Sequence, residues 1–149
     1  MALVVFFLLA VSLLLVLLSG ADVYQRLAAE GQDRYRRRTA TQYVTTRIRQ
    51  AEAVLTEDFS GVEALVFPET VDGKRYLTRV YCHDGYLKEL FTPEEGSFLP
   101  EDGEKLLELD ALTFSFAGNC LSVHLAFPNG SCRELTFFLP QREEGGHEA

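Results

Sequence analysis

Three stretches of the chain hold residue types and spacings that can do chemistry. The first is Cys82-His83-Asp84. A cysteine nucleophile needs its histidine base within hydrogen-bond reach. Cys82 and His83 are neighbours in a predicted strand, so their side chains point to opposite faces. His83 is expected to tie to the following hairpin turn instead. The second stretch is Cys120, His124 and Cys132. Zinc takes four such ligands around one point, yet Cys120 and His124, on one strand face, lie about 13 Å apart at ~3.3 Å per residue. The third is the acidic set Glu94, Glu95, Glu101, Asp102 and Glu104. Calcium takes carboxylate oxygens, but this loop lacks the Asp-x-Asp-x-Asp-Gly order and is expected to be a solvated loop. No Gly-rich phosphate loop, GxSxG elbow or HExxH pair occurs. The expectation is therefore a protein that is not an enzyme and needs no cofactor or metal.

The cysteine number is odd, with no CxxC pair, so no disulfide framework is announced. All three cysteines are expected to serve as small apolar strand residues. Charge is uneven. Residues 22–50 carry seven arginines (Arg26, Arg34, Arg36, Arg37, Arg38, Arg47 and Arg49) against Asp22, Glu30 and Asp33, a net of +4. The chain total is −8, which leaves −12 on residues 51–149. An acidic head repels nucleic acid, whose binding needs clustered Lys and Arg, and an acidic surface keeps it soluble.

These residues must be positioned by a chain with room for one domain. Residues 2–18 hold a single polar residue, Ser12. The twenty residues 2–21 make a helix of about 30 Å, the thickness of a bilayer core. Ser19-Gly20-Ala21 offers a signal-peptide cleavage site, but no basic n-region precedes the run. An uncleaved single-pass anchor is the expectation. The arginines just after the span, counted by the positive-inside rule, place the C-terminal part in the cytoplasm. Arg34, Arg36, Arg37 and Arg38 are candidates for contact with lipid headgroups in the bilayer surface.

Past the span, Ala40, Val44, Ile48, Ala51 and Leu55 recur at spacings of 4, 4, 3 and 4. That builds one stripe on a helix of period 3.6, expected to pack on the following domain. Tyr43 borders the stripe, while Arg47 and Arg49 lie off it. The texture then changes to short runs rich in aromatic and β-branched residues, bounded by turn residues: 62–67, 76–83, 86–91, 112–116, 120–127 and 133–139, with 106–109 as a seventh. Asp84-Gly85 predicts a type I′ hairpin. In the last hairpin, matching apolar faces requires an odd loop of three or five residues, which puts Val123 opposite Leu135 or Phe137 and keeps Cys120 away from Cys132. The organisation predicted is α+β: a transmembrane anchor (1–21), an extended helix (22–55), an antiparallel β domain of six to seven strands (56–140), and a polar, disordered tail (141–149).

An apolar N-terminal helix that continues into an amphipathic one ending Thr-Thr-Arg-Ile-Arg-Gln-Ala (45–51), then an antiparallel sheet, resembles the type IV pilin and pseudopilin plan. The helical part is similar to minor pseudopilins of the type II secretion J-subunit kind and to a competence-pilus minor pilin. The whole chain more closely resembles a bacterial domain-of-unknown-function family, number 4860. Gly-Ala-Asp-Val-Tyr (20–24), Arg-Ile-Arg-Gln-Ala (47–51), Tyr-Cys-His-Asp-Gly-Tyr-Leu-Lys-Glu-Leu-Phe (81–91) and Leu-Thr-Phe-Ser-Phe (112–116) carry that likeness. The chain departs from pilins in having Val5 where they carry a glutamate, and in having Gly20 as its first glycine. The resemblance implies a membrane-anchored assembly subunit with an extracytoplasmic head and other pilin-like or envelope subunits as partners. The rival class is a membrane-tethered binding module with a β-sheet platform.

Overall fold

The computed structural model describes residues 2–139; the tail expected to be disordered lies outside them. The chain divides into two compact units, Met1–Arg38 and Thr39–Ala149. One helix, α1 (Ala2–Gln50), contributes to both. Within the first unit its N-terminal stretch is apolar and long enough to cross a membrane, and its large side chains from Leu3 to Leu18 are exposed.

In the second unit the last turns of α1 are followed by eight strands, all antiparallel to their neighbours. β1 (Leu55–Phe59), β2 (Val62–Val71), β3 (Lys74–His83), β4 (Tyr86–Pro93) and β5 (Glu104–Glu108) form one sheet in chain order. β6 (Ala111–Ala117), β7 (Cys120–Ala126) and β8 (Cys132–Phe138) form a second. The α+β class is as the sequence predicts. The single sheet of six to seven strands is corrected to eight strands in two sheets. The division falls at Leu109-Asp110. Leu109 is fully buried, and the Asp110 amide donates to Ala126 O at 2.8 Å, so the chain after β5 pairs with β7.

Three hairpins of the first sheet close through two-residue turns, Ser60-Gly61, Asp72-Gly73 and Asp84-Gly85. Both residues have positive φ in each (54° and 83°, 51° and 75°, 53° and 74°). That is the type I′ pattern, whose twist matches the flanking strands. β7 and β8 pair with Val123 opposite Leu135. Their loop has the Gly130 amide bonded to Phe127 O and the Phe127 amide to Ser131 O, both at 2.9 Å, with Gly130 at φ 77°. This is the three-residue hairpin loop with a left-handed glycine.

The main core gathers Ala40, Val44 and Ile48 of α1 with Leu65, Phe67, Val80, Leu87 and Leu109 of the first sheet and its exit, and with Leu112, Leu121, Val123, Leu125 and Phe127 around the second. Because side chains alternate along a strand, the opposite face of the first sheet builds a separate cluster. It comprises Phe59, Ala64, Tyr81 and Leu90, with Val62 and Phe98 packed against it.

The expected helix over 22–55 is corrected at its end. Ala51 donates to Arg47 O at 3.1 Å, and helix stops at Gln50. Leu55 opens β1 and is 49% exposed, so it leaves the stripe. As a strand, residues 55–59 gain a backbone ladder with 62–66 and bury Phe59. A further helical turn offers neither, and tertiary pairing overrides the local period.

Candidate functional site

The surface that joins helix to sheet is the most elaborated part of the second unit. Ala40, Val44 and Ile48, one turn apart, are 0%, 1% and 3% exposed. Ala51 is half-buried beyond the helix end and still packs on the same core. Beside this apolar line runs a polar one. The Tyr43 hydroxyl donates to one oxygen of Glu89 on β4, and the Arg47 guanidinium donates to the other. A second Arg47 nitrogen lies 3.6 Å from Glu69 on β2. Burial first, and then the hydrogen bond to Glu89, push the Tyr43 hydroxyl well above the usual tyrosine range. Charge-assisted hydrogen bonds of this kind are stronger than neutral ones and demand geometry. The helix is therefore fixed in rotation as well as held by burial. The sequence places Arg47 off the stripe without assigning it a partner. Its position one turn after Tyr43, a spacing at which helical side chains are neighbours, is the signal that was available.

The Cys82 thiol donates to Leu109 O at 3.2 Å and packs on the main core. Burial, followed by the nearby Asp110, pushes its pKa up. A raised thiol pKa leaves little thiolate, so this cysteine is a poor nucleophile. His83 lies on the other strand face, 3.4 Å from Asp84 in the hairpin turn. His124 sits opposite Glu134 at 3.5 Å. Cys120 pairs with Phe138 and Cys132 with Ala126, at opposite ends of the β7–β8 ladder, and all three cysteines are free. Among the described residues no group of three or more His, Cys, Asp and Glu side chains is placed to hold a metal ion.

The acidic loop is partly self-bonded. Glu94 pairs with Arg75 at 3.2 Å, and the Asp102 carboxylate accepts the Leu99 amide at 2.8 Å. The loop also covers two side chains that sequence reasoning missed. Lys88, 3% exposed, donates to Pro100 O at 3.2 Å, and the Tyr81 hydroxyl donates to the same oxygen at 2.9 Å. Nearby Arg79, 7% exposed, bonds Glu57 at 2.9 Å and Thr92 at 3.0 Å and lies over the Phe59 ring. No strict alternation marks 76–83 in the sequence, so nothing signalled which polar residues there would be interior.

The candidate lipid-contact arginines divide. Arg34 and Arg38 are exposed, Arg34 lying 3.9 Å from Glu30, while Arg36 and Arg37 are half-buried. In the second unit, residues 48, 49, 51–55 and 136–139 border a groove of mixed polarity of ≈ 760 Å³, with Ile48, Val54, Leu55, Phe137 and Leu139 in its walls beside Arg49 and Glu52.

The model for Domain of unknown function (DUF4860) matches residues 35–126. The chain belongs to this family. No curated protein and no solved structure matches the chain. The DUF4860 match takes in the buried helix face, the Tyr43–Glu89–Arg47 contacts, the whole first sheet, and β6 and β7. The apolar span and β8 lie outside it.

Proposed function

We propose that the chain is a structural subunit of an envelope assembly, of the minor-pseudopilin kind. It is held as a single-pass membrane protein by residues 2–21, with the β domain outside the cytoplasm, and meets other pilin-like subunits. One observation carries this reading. A single helix, Ala2–Gln50, opens with an exposed apolar stretch over residues 2–21 and from Ala40 onward contributes Ala40, Val44 and Ile48 to the core of the β domain. An anchor that only tethers has no need to be part of the domain's core. A helix shared in this way makes the span and the head one covalent element, as an assembly subunit requires.

The test is a photo-crosslinking amino acid in place of Leu9 in the native host. Covalent adducts to other single-span proteins are expected. Adducts to lipid alone would overturn the reading.

The groove beside β8 favours a second reading, a tethered binding module whose platform takes an extended ligand. The two separate on Ala53→Trp, which fills the groove. An assembly subunit keeps its Leu9 adducts to other single-span proteins and its cellular role, whereas a binding module gives lipid adducts alone and loses the role.

A further inference from the structure

All seven basic residues of the segment 22–50 are arginine, and no lysine occurs there. In the first unit Arg26, Arg34 and Arg38 are exposed. At 3.6 residues per turn they fall within about one third of the helix circumference. Arg34 meets Glu30 at 3.9 Å with both side chains mostly exposed, an ion pair of little worth. This is an exposed, positively charged helix face on a chain whose residues 51–149 carry −12.

The second unit offers a matching receiver. Thr56, Glu57, Asp58 and Glu63 of the β1–β2 hairpin face Phe114, Ser115 and Phe116 of β6 across a cleft of ≈ 220 Å³. That is below the ~300–1,000 Å³ of small-molecule pockets, but suits a single side chain. Asp58 accepts the Gly61 amide at 2.7 Å, which fixes its carboxylate, and it stands opposite Glu63 in the ladder, so the two share a face. Glu57 turns to the other face, where it holds Arg79 at 2.9 Å. Glu63 is exposed, and Phe116 is 45% exposed. Carboxylates on one wall and aromatic rings on the other suit a guanidinium, which pairs with carboxylates through a planar fork of donors and stacks that plane on rings; an ammonium meets both groups only as a point charge, as Lys105 does over the Tyr86 ring at 4.4 Å.

We propose that the arginine face of α1 in one copy of this chain docks into the Asp58/Glu63–Phe114/Phe116 cleft of a second copy. Charge complementarity selects the occupant: the chain supplies both an arginine-only helix and an acidic aromatic cleft. The two surfaces differ, so the contact is heterologous and each copy leaves one of each free to propagate the array. The inference deepens the assembly reading and rests on it.

The experiment uses the full chain in its native membrane, with a benzophenone amino acid in place of Thr56 at the cleft. Irradiation is expected to give a dimer whose cross-link maps to residues 22–50. Glu63→Arg alone and Arg38→Glu alone each lower the dimer yield about tenfold, as juxtaposed like charges do. The double variant recovers it to within about twofold. Absence of the dimer, cross-linking only to another protein, or no recovery in the double variant overturns the proposal. So does an unchanged dimer yield in Arg38→Glu accompanied by weaker binding to anionic vesicles, which would assign that arginine to lipid. If the Leu9 adducts persist while the Thr56 dimer is missing, the self-contact alone fails and the assembly reading stands.

Discussion

Individual side chains decide how the helix is seated. Ile48, 3% exposed, packs within the apolar main core. In a soluble fragment beginning at Thr39, Ile48→Asp should cost several kcal/mol, because it buries an unpaired carboxylate. Arg49→Asp, exposed and without an ion pair among the described residues, should stay within about 0.5 kcal/mol. Urea midpoints with equal slopes make the comparison, and equal midpoints would mean the stripe is not a domain contact. The Tyr43 hydroxyl gives a pH signature. Its pKa is raised in the fold by burial and by Glu89. The fold therefore favours the neutral form, and that contribution is complete below the ordinary tyrosine pKa near ~10 and lost as pH rises toward the folded value. Tyr81 and Cys82, raised chiefly by burial, act in the same direction, Cys82 from a lower starting pH. Stability should thus decline from about pH 9 upward. Tyr43→Phe should fall less steeply than wild type between about pH 9 and pH 11; parallel declines would remove Tyr43 from the account.

Elements are held where backbone and side chain leave one option. The type I′ turns need residues that tolerate positive φ, and the Asp-Gly pairs supply them at two of three sites. Gly103 is constrained differently. Its φ of −69° is ordinary, but a Cβ there would run into the Tyr81 hydroxyl and press on Lys88. Gly103→Ala should therefore detach Tyr81 from Pro100 O and cost about 1–3 kcal/mol, the range for overpacking. Native-state hydrogen exchange should show faster exchange in residues 94–103 and little change in β6–β8. Uniform acceleration across both sheets would show that the loop and the sheets open as one unit. Seven of the eight strands were legible as alternating or aromatic runs. β1 was not, because Leu-Thr-Glu-Asp-Phe carries two acidic residues and sits where the helical period still appears to run.

For the whole molecule, the expected outcomes concern the membrane. Residues 2–21 should retain the full-length chain in the membrane through alkaline carbonate extraction, since twenty apolar residues insert too favourably to wash off. Recovery in the soluble fraction would remove the anchor. The side of the membrane is a separate question, because the arginines after the span favour a cytoplasmic head and the assembly reading an outer one. With Cys82, Cys120 and Cys132 replaced by serine, Glu95→Cys in the exposed loop should react with a membrane-impermeant maleimide on intact protoplasts. Reaction only after lysis would place the head inside.

The sequence by itself determined what depends on local period and composition. The apolar span, the α+β order, the Asp84-Gly85 turn and the odd loop before β8 follow from spacing, because side-chain direction is fixed within each element. It also identified Ala40, Val44 and Ile48 as one face. Only the tertiary structure decided where that face ends, since Leu55 leaves it to pair in β1. Tertiary structure also divided the strands at Leu109-Asp110 and brought Glu89 to Tyr43 and Arg47 across more than forty residues. The cleft between β1 and β6 has the same origin: its two walls belong to different sheets, and no local pattern encodes which strands of separate sheets will meet.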